Sequence, residues 1–432
     1  MPKASHAAPP IEVQASLRQR LGMPAARFLR DYWQKRPLLI RGAFAGFQPP
    51  LSPDDLAGLA CMEDALARIV LRRNGKANPL DSGFRAARGP GMTTKASPRL
   101  LHPSHTNSGK WEVRSGPFDD AIFAKLPESN WTLLVQDVDK WDADTAALLE
   151  HFKFIPSWRI DDVMISYATD GGGVGAHVDQ YDVILLQGIG QRRWSIDTRP
   201  DPPTAFRDDV ELKLLREFHP DHAWTLGPGD MLYLPPGVPH DGMAVGECMT
   251  FSIGMRAPAA SELLLDFSVH VAERSPESMR YTDPDLTPAT APGEIDRAAL
   301  RRARRTLGPA AAMLDDETFA EWFGSFVTRY RVAEVPVPRK RHVNPAALAE
   351  RLPLARVERD PWSRCAWRRQ GRGARLYVAG TAFDAPVGWA RALASGKRLL
   401  EGAKLAKLPQ QGDGIALLAT LIDAGHFTYR RH

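Results

Sequence analysis

A mainly antiparallel β region, followed by helices and a basic terminal module, is the fold class this sequence predicts. Three observations predict it. Short runs rich in β-branched and aromatic residues recur from Trp131 to Arg256. Gly and Pro clusters separate these runs with few helical patterns between them, which indicates a sandwich or barrel rather than βαβ units. After Pro258 the apolar spacing changes to that of helices.

Taken in order, residues 11–70 read as short helices and turns, with helical spacing over Ala25–Gln34. Lys35-Arg36-Pro37 breaks that helix into an extended run, Leu38–Ile40. Ser52 and Pro53 have the chemistry of an N-cap and a first helical residue. From Asn74 to Lys110 the chain is polar, rich in Gly, Pro and Ser, and without periodicity, as expected of a long mobile loop. Strands are expected at Trp131–Val138, Asp162–Ala168, Tyr181–Gln187, Arg192–Asp197, Asp230–Leu234 and Met249–Met255. Gly171-Gly172-Gly173, Gly188-Ile189-Gly190, Gly227-Pro228-Gly229 and Pro235-Pro236-Gly237 read as the turns between them. Ser261 is expected to cap an apolar-periodic helix, with further helices at Glu294–Thr306 and Asp316–Arg331. Val335–Pro338 reads as a linker to a small terminal module, and no internal repeat is visible.

The chain has 432 residues, which suggests two or three domains. Hydrophobic residues at 44% and charged residues at 25% exclude a mainly disordered chain. No run approaches the length of a transmembrane helix, and Met1–Pro10 has no apolar core of a secretory signal. Three widely spaced cysteines, Cys61, Cys248 and Cys365, exclude a disulfide framework and a zinc knuckle. These features point to a reducing, cytoplasmic setting. From Arg339 to His432 there are 18 Lys+Arg against 7 Asp+Glu, a charge of +11 that leaves −6 on the rest of the chain. Such asymmetry fits contact with nucleic acid or a ribonucleoprotein, and equally a merely soluble basic surface.

His177-Val178-Asp179 is the pattern with most chemical content. On a strand, residues two apart face the same way, so both side chains can reach one ion. The pair follows a Gly-rich approach, GGGVGA, and a third donor, His240, closes the Pro-bounded segment LPPGVPH. Two imidazoles and a carboxylate on one side of an ion form the facial triad of non-haem iron(II) oxygenases, which leaves positions open for a co-substrate and dioxygen. An HxD pair alone is a common surface pattern; the glycines, the Pro-bounded histidine and the intervening β-rich segment give it weight. His102 and His105 lie in the polar loop, and His219 and His222 flank a Pro-Asp turn, so these read as solvated or structural. In the run from Gly190 to Ile196, Arg192 shares a face with Trp194 and Ile196, and Arg193 shares the other with Ser195. An inward arginine could hold a carboxylate bidentately, and periodicity alone leaves the choice between the two nearly even.

The stretch MISYATDGGGVGAHVDQYDVILLQGIGQRRWSI, the later PGDMLYLPPGVPH and the ending FSIGMRAP resemble the bacterial ribosomal-protein oxygenases of the JmjC/cupin superfamily. Within them the chain is most similar to the ribosomal protein arginine 3-hydroxylase branch. FLRDYWQKRPLLIRGAF and KWEVRSGPF match as well, so the likeness covers most of residues 25–260.

The resemblance implies a double-stranded β-helix (jelly-roll) oxygenase domain at 1–258, a helical dimerisation region at 259–334 and a winged-helix-like domain at 335–432. It implies Fe(II), 2-oxoglutarate and dioxygen as cofactor and co-substrates. By position, His177, Asp179 and His240 are the implied iron ligands and Arg192 the partner of the distal carboxylate of 2-oxoglutarate. Asp162, Met164, Tyr181 and Ser252 are implied to line the pocket for the target arginine, where Asp162 can pair a guanidinium and Tyr181 offers an aromatic wall. The implied reaction oxidises 2-oxoglutarate to succinate and CO2 while hydroxylating an arginine of a large-subunit ribosomal protein. Imidazole ligands must be neutral, so acidification should lower activity. A histidyl hydroxylase is the nearest alternative, although Asp162 favours a cationic target. A lysine demethylase is less favoured because nothing suggests an aromatic cage. A non-catalytic cupin that binds RNA or the ribosome is the alternative from another class. The 74–110 segment is longer than the family pattern and could cover the site. The apolar stripes of Leu263, Leu264, Phe267, Val271, Phe319, Trp322, Phe323 and Phe326 look like a homodimer interface by resemblance, and intrachain packing would give the same pattern. Arg364, Arg368, Arg369, Arg372 and Arg375 interleave with Trp362, Trp367 and Tyr377, as an RNA-binding surface would, or as one wing of a small domain with solvated charges.

Overall fold

The computed structural model describes residues 11–72, 111–286, 295–312, 315–330 and 336–431. The expected loop at 74–110 therefore lies outside the described residues. The chain divides into two compact units, the first comprising the described residues of Met1–Phe154 with Ile160–Ala257, the second Ile155–Arg159 with those of Pro258–His432.

The first unit is built on one ten-stranded sheet. Its strands are β1 (Glu12–Gln14), β2 (Leu38–Arg41), β3 (Ala67–Arg72), β4 (Trp111–Ser115), β5 (Trp131–Val135), β6 (Ile160–Ala168), β7 (Val183–Ile196), β8 (His222–Leu226), β9 (Met231–Leu234) and β10 (His240–Met255). They lie in the order β1-β2-β9-β7-β10-β6-β5-β3-β4, with β8 on β7. All pairings are antiparallel except β1 with β2. Among the described residues, five α-helices accompany the sheet: α1 (Ala25–Asp31), α2 (Pro53–Ala60), α3 (Asp120–Phe123), α4 (Val138–Trp141) and α5 (Ala143–Leu148). Helix α2 starts as expected, with Pro53 in its first turn and a reciprocal capping box between Ser52 and Asp55.

Three expectations are corrected here. Gly188-Ile189-Gly190 is no turn: the runs on either side of it form the single 14-residue strand β7. Its register against β10 shifts between Val245 and Met249, and Gly190, at φ +58°, lies where a Cβ would stand 2.0 Å from the Glu247 carbonyl oxygen. The glycine therefore marks a β-bulge, which bends a strand without ending it. Strand β10 begins at His240 and not at Met249, so the third metal-ligand candidate opens a long central strand. Within this unit, strands β1, β3, β4 and β8 have no counterpart among the strands expected from the sequence.

The second unit holds α6 (Ala260–Arg274), α7 (Arg297–Ala312), α8 (Asp316–Thr328), α9 (Pro345–Arg351), α10 (Val387–Leu393), α11 (Gly402–Leu405) and α12 (Gln411–Asp423). Helix α6 starts one residue before the expected cap Ser261: the Ala259 N–H donates to the Glu262 carboxylate at 2.9 Å, which fixes the first turn. Six strands complete the unit: β11 (Ala355–Arg359), β12 (Cys365–Gln370), β13 (Gly373–Val378), β14 (Thr381–Ala385), β15 (Leu399–Glu401) and β16 (Phe427–Arg431). They form two three-stranded sheets, β15-β11-β16 and β12-β13-β14. The succession α10, β15, α11, α12, β16 is that of a winged helix, and its core is sealed by Trp389, Leu418, Leu421 and Phe427, all 0% exposed.

In the arginine-aromatic row of this unit, Trp367 is half-buried and Arg369 and Arg372 are exposed. Trp362 and Tyr377 are buried. Arg368 is engaged by Glu317, Arg375 bonds Glu321 and Asp384, and the Arg364 guanidinium lies 4.3 Å from the Tyr330 ring centroid. Among the apolar positions expected to form helical stripes, Leu263, Phe267, Val271, Trp322, Phe323 and Phe326 pack together within the unit, while Leu264 and Phe319 are exposed.

Candidate metal centre

His177 and Asp179 do not sit on a regular strand. His177 forms an isolated antiparallel bridge to His240, the two backbones exchanging N–H···O bonds of 3.0 Å. That bridge brings the rings to 4.2 Å between centroids. Asp179 follows on the loop, and its carbonyl accepts the Gly237 N–H at 2.8 Å, tying it to the turn that leads into His240. The far end of the loop is pegged by Asp182, wholly buried, whose carboxylate accepts the Tyr233 hydroxyl at 2.7 Å and the Gln34 amide at 2.9 Å.

The three donors converge. Asp179 Oδ2 is 3.7 Å from His240 Nε2 and 4.0 Å from His177 Nε2, and one ligand atom from each residue fits within a span of 4.8 Å. Each histidine places Nδ1 against a backbone carbonyl, His177 on Gly175 at 2.8 Å and His240 on Val238 at 2.9 Å. A carbonyl accepts, so Nδ1 carries the proton and each Nε2 turns a lone pair to the common centre. Burial, reinforced by His177, pushes the His240 pKa down to about 3, which keeps this imidazole neutral. Burial raises the Asp179 carboxyl, against the opposing pull of His177 and of a hydrogen bond from Tyr181. Two imidazoles and one carboxylate are the donor set of a divalent iron site with open positions, and the residues fit such an ion.

The pairing of β7 with β10 sets which side chains share the centre. Arg192 is opposite Ala244, Trp194 opposite Gly242 and Ile196 opposite His240, so all three lie on the face of His240. Gly242 is required there, because a Cβ would stand 2.6 Å from the Trp194 ring. Arg193, on the other face, is exposed. Arg192 is 5% exposed; one of its nitrogens donates to Ser166 Oγ at 3.3 Å, while Nε and Nη2 are buried with no partner among the described residues. A buried guanidinium with two idle donors is a costly arrangement unless an anion occupies it. Of the two arginines, Arg192 therefore faces inward and Arg193 outward.

Asp162, Met164 and Ser166 alternate along β6 and share one face, opposite Gly254, Ser252 and Thr250 of β10. Ser252 is buried, and Asp162 is partly so, accepting the Asp137 N–H at 3.1 Å. Asp137 adopts a left-handed conformation, φ +59°, at the start of α4. Burial first, then Asp139, pushes the Asp162 pKa up to about 6. Burial first, then Asp162, pushes Asp137 up to about 7. The two carboxyls thus form a like-charged pair whose repulsion Lys140 only partly offsets, and a further cation would relieve it. Tyr181 is 42% exposed, but its hydroxyl turns in to Asp179, and burial raises it. All four residues assigned to the pocket by resemblance thus flank the same side of the sheet or its loop.

Ser166 and Thr132 were missed. Ser166 was readable, since it continues the two-residue period of Asp162 and Met164. Thr132, on the neighbouring β5 opposite Ala168, is fully buried, and its hydroxyl on that face has no partner among the described residues. Only the cross-strand register reveals it. A cavity of about 230 Å³ walled by Arg72, Trp111, Gly175, Ala176 and Asp241 among others includes none of the three metal-ligand candidates, nor Arg192, in its lining.

Residues 147–263 match the family described as the JmjC domain, and 311–428 that described as the ROXA-like winged helix. The chain is 32% identical to the ribosomal protein uL16 3-hydroxylase of Escherichia coli K12, over 93% of this chain and 96% of that protein. It is 34% identical to a probable ribosomal oxygenase of Haemophilus influenzae, over 58% of this chain and 54% of the relative. A crystal structure of E. coli YcfD superposes with a TM-score of 0.74 at 32% identity, covering 95% of this chain and 99% of that one. Another, of YcfD in complex with cobalt and 2-oxoglutarate, gives 0.72 at the same identity and coverage.

Proposed function

The chain belongs to the JmjC ribosomal oxygenases, and from that membership we propose that it is an Fe(II)- and 2-oxoglutarate-dependent oxygenase that hydroxylates an arginine of a large-subunit ribosomal protein. By analogy with its E. coli relative, uL16 is the first candidate. The observation that carries the reading is the cluster of His177, Asp179 and His240 on the same face as the half-idle guanidinium of Arg192. Bound iron with 2-oxoglutarate and dioxygen supplies oxidative decarboxylation to succinate and CO2, coupled to oxygen insertion into a C–H bond.

The chain's own residues have distinct tasks. His177, Asp179 and His240 hold the ion from one side and leave the opposite side to co-substrate and dioxygen. Arg192 grips the distal carboxylate with Nε and Nη2, with Ser166 and Thr132 as hydroxyl partners beside it. Asp162 receives the guanidinium of the target, Tyr181 and Met164 flank its apolar stem, and Ser252 supplies a further polar contact. Together they fix the reacting carbon relative to the ion and keep bulk water out. Residues 1–258 form the oxygenase domain in this reading, 259–334 a homodimerisation region through the exposed Leu264 and Leu265 of α6, and 335–432 the winged-helix-like domain. A ribosomal-protein substrate supports a cytoplasmic setting for this reading. No helix among the described residues is long and apolar enough to cross a membrane.

The test is mass spectrometry of ribosomal proteins incubated with enzyme, Fe(II), 2-oxoglutarate and oxygen, with His177→Ala as control. A gain of one oxygen atom on an arginine peptide, absent with the variant, is expected. The same gain on a histidine would keep the chemistry and overturn the role of Asp162. Absence of both product and succinate would leave a non-catalytic cupin.

A further inference from the structure

Helix α7, Arg297–Ala312, carries five arginines and no acidic residue. Arg302 faces inward, 6% exposed, and is neutralised by Asp285 at 2.9 Å. Asp296, just ahead of the helix, is occupied as an acceptor for the Ala299 N–H at 2.6 Å. Arg297, Arg301 and Arg304 are exposed and make no ion pair among the described residues. At 100° per residue these three fall within one narrow arc, about 6 Å and then about 4.5 Å apart along the axis.

Nothing in the helix itself favours this row. Like charges four apart repel, and a cation in the first turn opposes the helix dipole. A solvated face for solubility alone would ordinarily mix both signs. In the arginine-aromatic row of β12 and β13, Arg368 and Arg375 are engaged by Glu317, Glu321 and Asp384, which leaves Arg369 and Arg372 exposed beside the turn between the strands. The exposed face of α12, the helix that a winged helix would offer to a nucleic-acid groove, carries Asp413, Ala416 and Thr420 and no cation. Helix α7 sets three exposed arginines along one helical arc, which α12 does not.

We propose that the Arg297–Arg301–Arg304 face of α7 is a docking surface for the phosphodiester backbone of RNA. A row of guanidiniums along a straight helix matches a linear array of phosphates, and the contact reads charge and spacing, not base sequence. The proposal does not depend on the oxygenase reading, because none of the three arginines belongs to the metal centre or its pocket.

The test uses the full chain and a fluorescein-labelled 20-nucleotide RNA of mixed sequence, titrated by anisotropy over a range of salt. The variant is Arg297→Gln/Arg301→Gln/Arg304→Gln, which keeps good helix formers at all three positions. Affinity is expected to fall about tenfold or more, and the slope of log K against log[salt] to shrink by about 2, the value for three phosphate contacts to a single strand. Hydroxylation of a free peptide and the far-ultraviolet circular dichroism should match the parent, which separates loss of a surface from loss of fold. An unchanged slope and an affinity within twofold of the parent would sink the proposal. So would polyglutamate competing as well as RNA at equal charge, since the face would then be one for acidic protein.

Discussion

Replacing Arg192 by Met should separate function from stability in opposite directions. Arg192 is 5% exposed and leaves Nε and Nη2 without partners among the described residues. A charged hydrogen bond contributes about 1.5–3 kcal/mol, so loss of the two donors should weaken 2-oxoglutarate binding by about 3–6 kcal/mol, or about 10²- to 10⁴-fold. Without co-substrate the same two donors are a liability of about 1–3 kcal/mol each, which an apolar side chain of similar length removes. The ligand-free variant should therefore melt no lower than the parent, and up to several degrees higher at about 2–4 °C per kcal/mol. Addition of 2-oxoglutarate should raise the melting temperature of the parent and leave that of the variant unmoved. Calorimetric titration of 2-oxoglutarate into cobalt-loaded protein, with scanning calorimetry of the ligand-free form, reads both quantities. The reasoning fails if Arg192→Met melts several degrees lower while binding within fivefold of the parent, or if the exposed Arg193→Met carries the loss instead.

Two other outcomes follow from geometry already described. Asp162 and Asp137 have carboxyls raised to about 6 and about 7, chiefly by burial. The guanidinium needs the ionised form, so KM for an arginine peptide should fall as pH rises from about 5 to about 8, and Asp162→Asn should flatten that dependence. The sign for stability is the reverse. A raised carboxyl binds its proton more tightly when folded, so the stabilisation present below the ordinary 3.8 is lost as pH rises through about 6 to 7. The difference in unfolding free energy between Asp162→Asn and the parent should accordingly change over that window, and a constant difference would contradict the pair. On α6, Leu265 is 70% exposed beside Leu264 at 69%. Leu265→Glu should convert a dimer to a monomer by light scattering at micromolar concentration, and an unaltered mass would remove α6 from the interface.

The parts of the site that were legible in the sequence are those whose chemistry is local. His177 and Asp179 with their glycines, and His240 with its prolines, carry their own context. The alternation of Arg192, Trp194 and Ile196 narrowed the clamp to two arginines, and the packing of Trp194 over Gly242 decided between them. What stayed hidden depends on register. Thr132 becomes a candidate only because β5 lies against β6, and Asp137 only because a left-handed turn brings its N–H to Asp162. Strand lengths failed for a related reason: glycine serves turns and bulges alike, and only the neighbouring strand tells which. The start of α6 was misplaced because Glu262, and not a Ser261 hydroxyl, satisfies the first turn.

The backbone bridge between His177 and His240 has a consequence for assembly. The two histidines are some sixty residues apart in the chain, and everything between them, β7, β8 and β9, must be laid down before they meet. An unfolded or half-made chain offers an ion only scattered single donors, with none of the chelation that makes three ligands bind tightly. Metal capture is therefore a late event, and occupancy becomes a readout of a completed sheet. Cells starved of iron would accumulate a finished vessel without cargo rather than a misfolded chain. Refolding monitored by cobalt absorbance should accordingly lag behind refolding monitored by tryptophan fluorescence.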